Sequence, residues 1–473
     1  MDSVQFALAT GKFDVALHQP QPPGYFLYVM MGRFFLLFTK DENTAFITVS
    51  ILFSALTVVG VYYLAKELFD TESAVAAAAI AITSPVFWLH GEVALSYAPE
   101  AFMSVLFALL CFKMQKGEGR LYWAAAVALA VSGGIRQNTM VFLFPLWLYS
   151  MRGLGLRRAM ASFAIFGVAT AAWFIPMLHM TGGYGRYSAA LKAHWLDANW
   201  RGIHLSWIAY NGRYMAKFLL YGLGAALVPL TAAVYFQMRG FLRSADPARV
   251  LFFISWMLPA FLFHLLIFTH PAVPGHSLIY QVGLFILAGK SLTALSSAIS
   301  VKLPEKPGLL RKTIMYPVLA ANAALFLFVP TQFSYEAVKG HDRMVSEYVD
   351  VVKRIFSPAD TEIIGNNRFF FGYRYAMYYL PEFRAHDTTV LSGPGGPHVL
   401  GGTGRITSME KNIYFQPGTR RFVDFVNYSK SEMSGMPPGA RFISLPDDNI
   451  LVYYESIGSL HGVKRIASLL GKG

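Results

Sequence analysis

Three groups of side chains in this 473-residue chain sit where a charge is costly to place. Asp2 and Asp14 lie in a polar opening segment that runs through His18 to Gln19-Pro20-Gln21-Pro22-Pro23-Gly24-Tyr25. The prolines force extended backbone just ahead of an apolar stretch. Glu92 and Glu100 bracket the run GEVALSYAPE between two apolar stretches, with Pro99 suited to a helix start. Ionisable groups at membrane depth mark function, against the plainer reading that both carboxylates are wet at the lipid boundary. Arg136 lies in Gly133-Gly134-Ile135-Arg136-Gln137-Asn138, between two uncharged arms of about fifteen residues. As helix each arm is roughly 22 Å long, short of the ~30 Å hydrocarbon core, so the tip is expected below the surface and inside protein. A buried guanidinium needs an anion. A lipid phosphate, matched bidentately, is one candidate, and a structural salt bridge to Glu92 or Asp2 is the other.

Two further stretches can bind without doing chemistry. Residues 180–214 place Arg186, Lys192, His194, Arg201 and Arg213 among Trp195, Trp200 and Trp207, which suits either a surface beside a phosphate headgroup or an interfacial anchor belt. His270, Pro271, Pro274, Gly275 and His276 form a turn, with His264 in the apolar run before it. Their spacing does not match a compact zinc motif, and no phosphate-cradling glycine loop, zinc-protease helix, serine elbow or paired cysteine motif occurs. No cofactor is certain, and a divalent cation is left open.

The elements that must hold these groups are membrane helices. Of the residues, 55% are hydrophobic and 14% charged, against about 25% charged in soluble domains. Residues 44–65, 159–178, 218–238 and 313–335 contain no charged residue or histidine. Spans are expected at 44–65, 72–90, 97–112, 121–135, 137–151, 159–179, 215–238, 250–269, 277–299 and 313–333, with an interfacial helix over 25–38. Alternate loops are basic: Lys66; Lys113, Lys116 and Arg120; Arg152, Arg157 and Arg158; Arg239, Arg243 and Arg249; Lys302, Lys306, Arg311 and Lys312. The positive-inside rule makes these cytoplasmic and puts both termini outside an inner (plasma) membrane. The same rule accounts for the net charge of +13 without nucleic acid. Cys111, the one cysteine, falls in an apolar run and reads as packing. The chain opens without a cleavable signal peptide.

Three domains follow: an outer loop with its interfacial helix over 1–43, an all-α polytopic bundle over 44–335, and a small soluble α/β domain over 336–473 outside the membrane. In the last, a helix is expected over 345–356, strands over 361–364, 441–445 and 450–454, and a Pro-Asp-Asp-Asn turn between the final pair. Glycine and proline cluster at 392–404.

The run DSVQFAL, then FDVALHQPQPPGYFLYVMMGRFF, resembles the first outer loop of the GT-C membrane glycosyltransferases. It is followed by a span ending YYLAKELFD, a span ending SPVFWLHGEVALSY, and GGIRQNT. More narrowly it is similar to bacterial relatives of the protein O-mannosyltransferases and aminoarabinose transferases, over about residues 1–300. The family carries a helix ahead of that loop, whereas here Asp2 follows Met1 directly, as in a relative lacking the first span or in a chain whose true start lies further upstream. The resemblance implies inverting transfer of a sugar from a polyprenyl-phosphate donor at the outer face. It makes Asp2 the base and Glu92, with Glu100 behind it, the second acidic position. Arg136, helped by Arg186 and the 180–214 segment, would hold the phosphate, while His18, Tyr97 and His270 would bind substrate. The acceptor is unknown: a lipid, a glycan or a protein. Two rivals stand beside this reading, a transporter of an amphipathic or anionic solute and a noncatalytic subunit for envelope-polysaccharide assembly.

Overall fold

The computed structural model describes the chain except residues 1, 198–204, 239–245, 271–272, 303–306, 330, 332–333, 366–372, 388–417, 437–438 and 456–473. The glycine–proline cluster at 392–404 lies outside the described residues, as do Trp200, Arg201, Arg239, Arg243, Pro271 and Lys306. The chain divides into two compact units, residues 25–179 with 195–338, and residues 1–24 with 180–194 and 339–473.

The first unit is helical. It opens with α2 (Phe26–Leu36), α3 (Glu42–Leu68), α4 (Thr71–Thr83), α5 (Pro85–Gly91) and α6 (Tyr97–Gln115). Then come α7 (Tyr122–Ile135), α8 (Gln137–Ser150), α9 (Leu156–Thr181), α11 (Leu205–Leu223) and α12 (Leu227–Met238). It closes with α13 (Pro247–Leu266), α14 (Leu278–Lys302) and α15 (Pro307–Leu327). Among the described residues six helices are long and apolar enough to cross a membrane, or seven when α4 and α5 count as one span. Shorter apolar helices accompany them at 26–36, 119–135 and 315–327. The chain is a multi-pass membrane protein. Met160, Phe163, Val168 and Ile175 of α9 stay exposed, a face that water would not tolerate and lipid does.

Two departures from the expected elements have local causes. The span over 72–90 is broken by a 65° bend between α4 and α5. Ser84 Oγ accepts from Phe87 N at 3.3 Å as a new N-cap, and Pro85, which lacks an N–H, starts the second helix. The segment 180–214, expected as an outer loop, is largely helical: α10 (Tyr184–Asp197) and then α11. Its later part winds because Asn211, Met215, Phe218 and Gly222, spaced by three and four residues, are the buried face of α11.

The second unit is built on a five-stranded sheet of order β2-β1-β3-β5-β4. Its strands are β1 (Thr361–Gly365), β2 (Arg384–Asp387), β3 (Arg421–Ser429), β4 (Ala440–Ser444) and β5 (Asn449–Glu455). β1 runs parallel to β2 and β3, and β5 antiparallel to β3 and β4. Asp447 and Asp448 turn β4 into β5 with φ of 54° and 64°, the left-handed pair that a tight hairpin needs. One sheet face, with Ile363, Val423, Phe425 and Leu451, shares a core with Tyr348 and Val352 of α16 (Tyr335–Ile355) and with Tyr375 and Ala376 of α17 (Tyr373–Tyr379). Val4 of α1 (Asp2–Gly11) belongs to the same core. The start of the chain therefore folds with its C-terminal part, whereas composition had separated 1–43 from 336–473.

Candidate active site

Arg136 ends α7 and begins α8. Its φ of −152° breaks the helix between two 14-residue arms, each about 21 Å long. Its side chain is 6% exposed. Nε lies 3.5 Å from Glu100 Oε2, and Nη2 donates to His276 Nδ1 at 2.8 Å. The guanidinium carbon sits 4.5 Å from the ring centre of Tyr97 and 5.8 Å from that of Tyr25, within cation–π range. Glu100, 2% exposed, accepts from Thr139 Oγ1 through Oε1 at 2.7 Å, one turn into α8. The Tyr97 ring meets His90 and His276 edge-on at 5.0 and 5.4 Å, and His264 lies 5.6 Å from His276. Gly275 makes this approach possible, since a Cβ there would collide with Tyr97 and His90.

Tyr97, Glu100 and Arg136 lie together, and the carboxylate that faces the arginine is Glu100, where Glu92 or Asp2 had been expected. Glu92 ends α5 and accepts from Trp88 Nε1 at 2.6 Å. His270 is exposed and stands 6.4 Å from Phe268. Sequence reasoning missed Thr139 and Tyr25. The Thr139 signal was its place three residues after Arg136, one helical turn on. His276 had been weighed only as part of a metal cluster; among the described residues no group of three or more metal-ligating side chains forms.

The second unit holds the other expected groups. Asp2 is exposed at the head of α1. Burial, Tyr379 and the charges of Asp2 and Asp342 together push the Tyr375 phenol upward. Asp14 is buried; Oδ1 caps the turn at Val15–Leu17 by accepting from Ala16 N at 3.0 Å, and Oδ2 meets Arg186 Nη2 at 2.8 Å. His18 closes that turn in the left-handed region, φ 54°, and its ring lies 6.2 Å from that of His194. Burial, then the nearby charges of Arg374 and His194, lower its pKa to about 3, so the imidazole is neutral at physiological pH.

Residues 21–180 match the family model described as dolichyl-phosphate-mannose-protein mannosyltransferase. Two structures of ArnT from Cupriavidus metallidurans share the fold over nearly the whole chain. The one bound to undecaprenyl phosphate has a TM-score of 0.61 at 12% identity, covering 97% of this chain and 94% of that one. The apo form has a TM-score of 0.61 at 14% identity, covering 96% and 93%. The apo oligosaccharyltransferase of Archaeoglobus fulgidus gives a TM-score of 0.50 at 11% identity, covering 97% of this chain and 71% of that one. No curated protein matches the chain by sequence. The resemblance to PMT/ArnT-like GT-C membrane glycosyltransferases is borne out, and the chain has their fold.

Proposed function

We propose that this chain is a GT-C glycosyltransferase that moves a sugar from a polyprenyl-phosphate carrier to an acceptor on the non-cytoplasmic side of the inner membrane. The observation that carries the reading is one of location: the stretch matching the mannosyltransferase model, 21–180, contains Tyr25, Tyr97, Glu100, Arg136 and Thr139, the core of the buried cationic cluster.

In this scheme an acceptor hydroxyl or amine attacks the anomeric carbon. Its proton passes to Asp2, the new bond to C1 forms, and the bond from C1 to the phosphate oxygen breaks with inversion. The polyprenyl phosphate leaves with the electron pair. Arg136 binds the phosphate and offsets the charge that grows on it. Tyr97 and Tyr25 wall the guanidinium and keep it from straying, and Glu100 with Thr139 fixes it from behind. Glu92 orients the acceptor, His18 and His270 contribute to binding, and Asp14 with Arg186 shapes the outer loop. Asp2 suits the base because it is exposed, whereas Asp14 already spends its oxygens on Ala16 N and Arg186. The basic loops support this sidedness.

The 65° break between α4 and α5 favours a second reading, since transporters build sites at interrupted helices. One experiment separates the two. Purified protein in liposomes is given a polyprenyl-phosphate sugar with envelope extract as acceptor, and release of polyprenyl phosphate is followed beside flux. Release that requires Asp2 and Arg136 supports transfer; flux without release supports transport.

A further inference from the structure

Arg374 is fully buried on α17 and spends its charge on backbone. Nη1 donates to the carbonyl of His18 at 3.0 Å and Nη2 to that of Leu17 at 3.1 Å, 356 and 357 residues away in the chain. These two carbonyls crown a small closed loop. Asp14 and Gln19 pair through both backbone groups, Asp14 N to Gln19 O at 2.6 Å and Gln19 N to Asp14 O at 3.0 Å. His18 sits in the left-handed region without being glycine, a conformation that is uphill for an L side chain and persists where surroundings impose it. The carbonyls at such a turn end have no partner along the chain, and the forked guanidinium supplies two donors at once.

The rest of the loop is fastened by residues 180–194. Arg186 holds Asp14 at 2.8 Å, Tyr187 OH donates to Pro23 O at 3.2 Å, and Val15 N donates to Thr181 Oγ1 at 3.5 Å. α1, headed by Asp2, runs straight into it, with Lys12 N bonded to Leu8 O at 3.1 Å. Val4 of α1 packs in the core that also holds Tyr375 and Ala376, the residues next to Arg374.

We propose that Arg374 is a positioning residue for transfer: by clamping the Leu17 and His18 carbonyls, the C-terminal part of the chain sets the loop that follows the Asp2 helix. This rests on the functional reading above. It makes the C-terminal part a support for the outer loop, whatever acceptor it also meets.

The test uses the full-length protein in liposomes. Arg374→Ala is expected to lower kcat about a hundredfold, the scale of a small misplacement at a reacting centre, while the KM for the polyprenyl-phosphate sugar, to which His18 contributes, changes far less. Added guanidinium chloride at non-denaturing concentration should restore part of kcat in the variant and none in wild type. Limited trypsin digestion supplies a readout besides activity: cleavage after Lys12 should be faster in Arg374→Ala and slowed again by guanidinium. Should the alanine variant fail to fold, Arg374→Lys, which reaches one carbonyl, is expected to give an intermediate kcat with the smaller part of the effect on KM. Wild-type kcat in the alanine variant overturns the proposal. So does a loss that guanidinium does not relieve, or a loss in either variant that falls on KM with kcat untouched, each of which marks a residue that does not position the reacting groups. Wild-type protein that releases no polyprenyl phosphate defeats the functional reading itself, and is distinguishable because no variant is needed to see it.

Discussion

Arg136 Nη2 and His276 Nδ1 are 2.8 Å apart, and only one of the two can be the donor. A guanidinium keeps its protons, so Nδ1 accepts and the imidazole is neutral with its proton on Nε2. The arginine is therefore steadied by a neutral ring and two tyrosine faces, with Glu100 as its carboxylate.

If that guanidinium takes the phosphate, Arg136→Ala should lower turnover about 10²–10³-fold, the cost of removing one aimed electrostatic donor. Arg136→Lys should recover little, because an ammonium cannot fork. Binding of polyprenyl phosphate to the purified variants is the direct check; wild-type affinity in Arg136→Ala would remove the phosphate role.

Glu100 is expected to matter first for stability. Glu100→Gln leaves a buried cation without its counter-charge, a loss of about 3–5 kcal/mol. Thr139→Val removes one hydrogen bond to the same charged carboxylate and should cost about 1.5–3 kcal/mol. Thermal unfolding in detergent orders the two, and a Glu100→Gln protein as stable as wild type contradicts the pairing.

Asp2→Asn keeps size and polarity and loses the base. Turnover should fall about 10²–10⁴-fold with donor affinity unchanged, since the phosphate contacts are assigned elsewhere. Full turnover in this variant would strike Asp2 from the scheme.

Asp424, in the middle of β3, gives the sheet a pH dependence. Burial pushes its carboxyl up to about 7, against a hydrogen bond from Tyr428 OH that pulls it down. A folded pKa above the unfolded one means that the fold retains a proton which the unfolded chain releases. The stabilisation is complete below about pH 4 and is lost as pH rises through 7. Amide exchange in β3 should quicken between pH 5 and 8 by more than the intrinsic exchange rate does, and Asp424→Asn should flatten that excess. An excess unchanged in the variant would place the cause elsewhere.

The membrane bundle could be read from composition, because hydrocarbon tolerates neither charge nor unpaired backbone and so writes its demands into long apolar runs. Arg136 was legible for the same reason, as a lone charge between two short uncharged arms. The hairpin β4–β5 was legible from its Pro-Asp-Asp-Asn turn, which is local chemistry. The bend at Ser84–Pro85 was hidden because apolar content does not change across it.

Pairing was not legible. Glu92 and Glu100 are equivalent on paper, and α6 brings the second to Arg136 while the first meets Trp88. Asp14 met Arg186, and Leu17 and His18 met Arg374, across separations of more than a hundred residues. Local periodicity and hydropathy determine which segments become helix or strand and which enter lipid. Which charge answers which is decided by how the helices and the sheet pack, because burial forces each polar group to find its partner wherever the fold happens to bring one within reach.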